Sequence, residues 1–204
     1  VREGLRCLLD GQPGLTVVAE AANGAEALDL YEHHRPDVVL MDVAMPVLNG
    51  IEATRQIKDR HPSATVLALS IHGDSRLVGQ MLRAGAAGYV LKDAEFDELV
   101  QAIETVARGG TYLNPAVANV VVSYYVRGES EESTSAYETL TPREREVMQL
   151  FSEGYASKQI AGRLNVSVKT IDTHRYQVMR KLKLRGMADL TRFALREGIS
   201  TLDT

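Results

Sequence analysis

At 204 residues, with 45% hydrophobic and 25% charged side chains, the chain has an ordinary globular balance and a length that suits two small domains better than one. The longest apolar runs, 36–42 and 120–122, are far too short to span a bilayer, and no signal peptide opens the sequence, so an intracellular protein is expected. The net charge of −4 hides a split: residues 1–126 carry −6, 127–139 carry −3 and 140–204 carry +5, so only the basic back is expected to meet a polyanion.

The first helical pattern holds Leu5, Leu8 and Leu9, and Cys7 among them is expected to be a small core residue. Alone, it cannot form an internal disulfide. Apolar runs with strand character follow at 16–20, 36–42, 65–70 and 88–92, alternating with helical patterns at 25–33, 51–60, 75–84 and 95–108. Strand alternating with helix implies a doubly wound parallel sheet, and a run such as Val38-Val39-Leu40-Met41 has the two apolar faces of a central strand. Gly85 and Gly109 stand where helix C-terminal caps belong. Asn114-Pro115 opens a connecting helix over 116–126, which Val120-Val121-Val122 weakens. Residues 128–135 are polar and acidic and read as a linker.

The remainder is helical. Thr141-Pro142-Arg143-Glu144 is a capping box with proline at the first helical position, and helices are expected at 142–153, 157–164, 168–182 and 188–197. The short turn Asn165-Val166-Ser167 between the middle two makes a helix-turn-helix candidate. The expected layout is thus 1–112, 113–137 and 138–204: an α/β domain, a connecting helix with an acidic linker, and a small all-α domain.

Asp42 ends the strand over 38–41, which puts its carboxylate at the carboxyl edge of the sheet, where open α/β sheets hold their sites. There it can act as a nucleophile toward phosphorus. Ser70 and Lys92 end two further strands and could offer a hydroxyl and a cation to phosphoryl oxygens. Each is weak alone, since a strand-end Asp is more often a turn former; together they are specific. The motifs PDVVLMDVAMPVLNG (36–50), VLALS (66–70) and AGAAGYVLKD (84–93) resemble the receiver domain of two-component response regulators. The resemblance implies Asp42 as phosphoacceptor, Ser70 and Lys92 as phosphoryl-binding residues and Tyr89 as a switch aromatic; without it Tyr89 reads as a half-buried strand tyrosine. It also implies Mg²⁺ held by Asp42, by the backbone carbonyl of Ala44 and by an acidic pair at the end of a first strand. Val1 already falls inside the helix after that strand, so strand and acids are expected to lie outside this sequence. A slot beside the strand over 36–42 and weak or absent Mg²⁺ binding by this chain follow. Ile71 could narrow access to Asp42; His72 could touch an attacking water, although a surface-loop role suits it, His33, His34 and His61 better. No His/Cys cluster has metal spacing.

In the last domain Lys169, Thr173, Tyr176 and Arg180 lie on one helical face, and Val168, Ile171, Val178 and Leu182 form the opposite, core-facing stripe. A hydroxyl and an aromatic flanked by cations suit a helix in a major groove. LTPREREV (140–147), SKQIAGRLNVSVKTIDTH (157–174) and VMRKLKL (178–184) resemble the LuxR-type helix-turn-helix, and with the receiver point to the NarL/FixJ class. That resemblance implies base contacts by Asp172, Thr173 and Tyr176, phosphate contacts by Lys169, Arg180 and Lys181, and further DNA-side positions at Thr170 and His174. For His174, packing has even odds; Asp172 could instead tether Arg175 or Tyr176. Leu190, Phe193 and Ala194 fit a dimerisation surface or plain core equally.

The leading expectation is a cytoplasmic transcription factor, phosphorylated by a sensor histidine kinase, dimeric when activated and bound to double-stranded DNA, with the receiver covering or releasing the recognition helix. It is not expected to be an enzyme beyond its own phosphorylation and dephosphorylation. An alternative makes the receiver a phosphate-independent interaction module. An aspartate-nucleophile phosphatase would need a second acid where Ala44 stands.

Overall fold

The computed structural model describes residues 2–71, 73–126 and 136–200, with the side chains at 120 and 123–126 left aside. The expected linker over 128–135 and His72 lie outside the described residues.

Four strands, β1 (Val39–Asp42), β2 (Val66–Ser70), β3 (Gly88–Leu91) and β4 (Tyr112–Leu113), pair in that order, all parallel. The register sets Val39 against Val66, Leu67 against Gly88 and Gly88 against Tyr112. Side chains alternate along each strand, so Met41, Val66, Ala68 and Tyr89 enter one core while Leu67 and Val90 enter another. The first core is closed by α2 (Gly24–His34), α3 (Gly50–Arg60) and α4 (Ser75–Arg83), the second by α1 (Arg2–Asp10) and α5 (Phe96–Ala107). This is the doubly wound arrangement expected from strands apolar on both faces. Gly85 and Gly109 follow their helices at φ +101° and +82°, as C-terminal glycines should.

Residues 16–20 do not form the expected strand. A strand needs a neighbour for its backbone N–H and C=O groups. Here the segment faces β1 across a cleft of about 580 Å³, lined by Leu5, Leu9, Val17, Val38 and Leu40 among others. Val17 instead donates its amide to the Asp10 side chain, and Val18 is exposed. Cys7 is also corrected: it is exposed, because α1 buries Leu9, and Cys7 lies about 200° around the helix from that residue.

α6 (Pro115–Val126) packs on α4 and adds Val117 to the first core. Beyond a 3-10 turn (Ala136–Thr139), α7 (Pro142–Ser152), α8 (Ser157–Arg163), α9 (Val168–Lys181) and α10 (Met187–Arg196) surround their own core of Val147, Leu150, Ile160, Ile171, Val178 and Leu190. The expected capping box is present: the Thr141 hydroxyl accepts from the Glu144 amide, and Glu144 accepts from the Thr141 amide. Between α8 and α9 the chain turns through Asn165 at φ +52°, a left-handed position that asparagine tolerates, and the Ser167 side chain caps α9. Leu190, Phe193 and Ala194 are buried in this core, so they pack within the domain and present no dimer surface.

Candidate functional site

The parallel register brings three strand ends together. Asp42 closes β1 opposite Leu69, Ser70 closes β2 opposite Leu91, and Lys92 follows immediately. The Lys92 amide donates to the Ser70 carbonyl at 2.8 Å, which fixes the last strand end against its neighbour. Lys92 Nζ lies 2.5 Å from Asp42 Oδ2, and the Ala44 amide reaches Oδ1 at 3.3 Å. About a third of the Asp42 side chain is exposed, enough for a reactant to approach. Gly50 makes the loop possible: a Cβ there would sit 1.9 Å from the Asp42 carbonyl oxygen.

Ser70 is buried beneath this edge and hydrogen-bonded to the side chain of Tyr89. Burial pushes the Tyr89 phenol up to about 12; the Ser70 bond works against the rise, and the Asp74 and Asp42 carboxylates add to it. Tyr89 is therefore fully buried beside the site, not a half-buried strand residue. Ile71 points into solvent at 67% exposure. His61, expected on a surface loop, is mostly buried: it pairs with Glu32 at 2.7 Å and stacks near Tyr31.

Mg²⁺ requires near-octahedral oxygen coordination. Among the described residues no three His, Cys, Asp or Glu side chains converge, and Asp42 Oδ2 carries the Lys92 ammonium. Asp42 and the Ala44 carbonyl would supply two oxygens at most, so the residues described here do not make up a Mg²⁺ site.

The second surface lies on α9. Lys169, Thr173, Tyr176 and Arg180 all project into solvent, Tyr176 at 64% exposure. Thr173 donates its hydroxyl back to the Lys169 carbonyl at 2.9 Å. Asp172 is exposed and accepts from Ser157 of α8 at 2.9 Å, so its tether is neither Arg175 nor Tyr176. Thr170 is tied to the Ser167 cap through its amide and hydroxyl. His174 is half-buried, and Arg175 lies over the Phe151 ring. Lys181 is a correction: its ammonium is 2.6 Å from Glu144 and 3.3 Å from the Thr139 carbonyl, a tie within the domain rather than a group held out to phosphate. Val168 is a second one. As the first residue of α9 it is exposed, while Ile171, Val178 and Leu182 do form the core stripe.

Sequence reasoning missed the contact between the two domains. The loop after Asp42 docks on α7: Gln149 accepts from the backbone amide and the side chain of Asn49, both at 2.9 Å, and donates to the Met45 carbonyl at 2.8 Å. Both Glu153 carboxylate oxygens accept from the Val47 amide, at 3.0 and 3.1 Å. Val47 packs against the helical domain's core and sits at φ +68°, a strained conformation for a β-branched residue. Buried Glu52 pairs with Arg55 at 2.6 Å and with Arg145 at 3.1 Å, and Gln56 donates to Glu146. Arg83 meets Glu138, and Arg76 meets Glu197 together with the Arg196 carbonyl. These contacts use the 3-10 turn, α7 with its cap Glu153 and the end of α10, and Lys169, Thr173, Tyr176 and Arg180 on the outward face of α9 stay exposed. No sequence signal marked this face: Arg145 and Gln149 are polar residues of an amphipathic helix, and the structure buries both.

The chain thus joins a parallel α/β domain carrying an Asp–Lys–Ser edge to a helix-turn-helix unit, the two-domain layout of a receiver with a DNA-binding output. Residues 1–104 match the response regulator receiver domain, and residues 138–194 match the bacterial regulatory proteins of the luxR family. The chain therefore belongs to the two-component response regulators of the LuxR type, which are transcriptional regulators. It is 36% identical to the transcriptional regulatory protein DegU of Brevibacillus brevis, over 97% of this chain and 89% of that protein. The crystal structure of a LuxR-family two-component response regulator from Aurantimonas is 42% identical, with a TM-score of 0.59, over 62% of this chain and 90% of that one. RcsB of Salmonella enterica serovar Typhimurium, solved on promoter DNA with a phosphomimetic, is 25% identical with a TM-score of 0.57, over 94% of this chain and 90% of that one. No described helix is long and apolar enough to cross a membrane.

Proposed function

We propose that the chain is a cytoplasmic, DNA-binding transcriptional regulator switched by phosphoryl transfer from a sensor histidine kinase to Asp42. The observation that carries the reading is the Asp42–Lys92 pair, 2.5 Å apart at the sheet edge with Ser70 beside it. An Asp42 carboxylate oxygen attacks phosphorus on the donor's phosphohistidine; the P–N bond breaks, the imidazole leaves, and an acyl phosphate forms. Lys92 then turns from the carboxylate to the phosphoryl oxygens, and the Ser70 hydroxyl gives up Tyr89 to donate to another. Receiver domains generally bind Mg²⁺.

Lys169 and Arg180 would take DNA phosphates, with Asp172, Thr173 and Tyr176 toward base edges. Paired half-sites one helical turn or a multiple apart would accept a homodimer. RcsB, solved on promoter DNA with a phosphomimetic, supports joining the two activities. The test is DNA binding and oligomeric state of the full-length protein with and without acetyl phosphate, beside Asp42→Asn. Stronger binding that Asp42→Asn abolishes is expected. DNA binding indifferent to both would overturn the switch and favour a phosphate-independent receiver.

A further inference from the structure

Asp172 is out of character for the surface it occupies. It is the one acidic residue of α9, and it stands exposed on the face that Lys169, Tyr176 and Arg180 present to solvent. At about 100° per residue it lies about 60° round the helix from Lys169 and about 40° from Tyr176, at the edge of that face nearer α8. A carboxylate there repels phosphates, so it opposes binding unless it meets a donor of its own. Among the described residues its partner is not a cation but the Ser157 hydroxyl, at the start of α8, which donates to Oδ1 at 2.9 Å. That bond leaves the negative charge intact and fixes its direction: Oδ1 is turned to α8, and Oδ2 is left to accept from outside the protein. Ser157 is half-buried on a separate helix, so the tether is anchored in the domain's frame. Thr173, next along the same face, donates its hydroxyl to the Lys169 carbonyl. Toward a base it therefore offers a methyl group and lone pairs, and the charged acceptor of this surface is Asp172.

We propose that Asp172 is a specificity-determining residue that selects cytosine at one position of each half-site, and that Ser157 is the residue that positions its carboxylate. The proposal rests on α9 lying in the major groove. An ionised carboxylate only accepts hydrogen bonds, and in that groove only cytosine N4 and adenine N6 donate them. The two amino groups differ in their neighbours. Beside adenine N6 lies N7, an acceptor whose lone pair opposes a carboxylate; cytosine N4 has only carbon beside it. Guanine turns O6 and N7 toward the groove, and thymine its O4 and methyl group, so neither gives the carboxylate a bond. Cytosine satisfies the charge, and the other bases leave it desolvated and unpaired. The acid is thus a discriminator more than a source of affinity, since it works by penalising the wrong base. A carboxylate free to rotate would turn from a wrong base to water and escape that penalty. The Ser157 bond holds it at the interface.

The test selects bound duplexes from a random-sequence pool with the full-length protein, and reads base frequencies at each position beside each variant's thermal midpoint. Wild type should enrich cytosine at one position shared by both half-sites. Asp172→Ala should flatten that position, a loss of preference on the order of tenfold, while total affinity holds or rises because a charge facing phosphates is gone. Asp172→Asn should move the preference to adenine, since an amide pairs with N6 and N7 together. Ser157→Ala should flatten the same position in part, and Ser157→Thr, which keeps the hydroxyl, should restore it. Ser157→Ala with wild-type base frequencies would overturn the positioning role of the serine. A lowered midpoint with base frequencies unchanged in every variant would make the bond a staple between helices and overturn the proposal. Sequence preference in wild type that neither Asp172 variant alters would do the same and leave the DNA-binding reading intact. Wild type without sequence-dependent binding would sink that reading and this one together.

Discussion

Replacing Glu52 by alanine tests whether the domain contact is held by charge. Glu52 is fully buried at the start of α3, where Arg55 of the same helix and Arg145 of α7 share one carboxylate oxygen at 2.6 and 3.1 Å. Arg145 is itself buried, stacked on Tyr137, and its other donors go to the Tyr137 and Glu138 carbonyls. Removing one member of a buried pair leaves an uncompensated charge and costs about 3–5 kcal/mol. At about 2–4 °C per kcal/mol for a chain of this size, that is a fall of roughly 6–20 °C in the unfolding midpoint. The cost has a ceiling, because undocking returns Arg145 to water. Once the penalty exceeds the docking free energy, the domains separate and the transition splits in two. Calorimetry of wild type, Glu52→Ala, Arg145→Ala and the double variant should give a coupling of about 1.5–3 kcal/mol, as for hydrogen bonds to charged groups. Replacing both residues together by Leu and Met should recover much of the loss, since apolar substitutes avoid the desolvation of two ions. A midpoint within about 2 °C of wild type for Glu52→Ala, well under the change expected for a buried pair, would refute the reasoning; so would strictly additive single losses.

Gly50→Ala should unfold or badly distort the receiver, because its Cβ would meet backbone rather than a movable side chain; a cost above about 3 kcal/mol is expected from such overpacking, and an unchanged thermal midpoint would contradict it. Lys169→Ala should weaken DNA binding evenly across sequences and reduce the salt slope by about 1. Lys181→Ala should leave that slope alone and destabilise the helical domain instead, because Glu144 loses its ammonium partner. Burial pushes the Glu144 carboxyl up, but bonds from Lys181 and Thr141 outweigh it and hold it below its ordinary 4.5. Its contribution is therefore present above 4.5 and lost as pH falls through the folded value, so acid unfolding should be less steep in Glu144→Gln. Glu153 has the opposite sign: raised by burial from 4.5, it favours docking most below that pH, and the gain is lost as pH rises through the docked value. Docking in Glu153→Gln should lack that decline, as amide exchange at Val47 followed across the range would show.

Most elements were legible because their determinants are local. The capping box at Thr141, the proline after it and the 3.6-residue stripe through Ile171 and Val178 sit within a few residues of one another, and the structure forms them as read. The three strand ends were legible for a related reason: an apolar run stops at a polar residue where a parallel strand leaves the core, which placed Asp42, Ser70 and Lys92 on one edge. Failures came where the deciding partner is distant. Residues 16–20 have the pattern of a strand, but a ladder needs a neighbour that their own sequence does not specify. Lys181 has the spacing of a phosphate-binding residue, yet Glu144, 37 positions earlier, claims its charge.

The domain contact is the extreme case of this. Gln149 and Arg145 are polar positions on an amphipathic helix and Glu153 caps its end, and water would satisfy the same donors and acceptors that the receiver satisfies here. Hydrophobic periodicity separates core from surface; it cannot separate a surface that meets water from one that meets a second domain through polar groups. Such a contact gains little net stability from each hydrogen bond, so it can be broken at modest cost. That is the property a switch requires, and it also makes the contact nearly invisible in the pattern that reveals the fold.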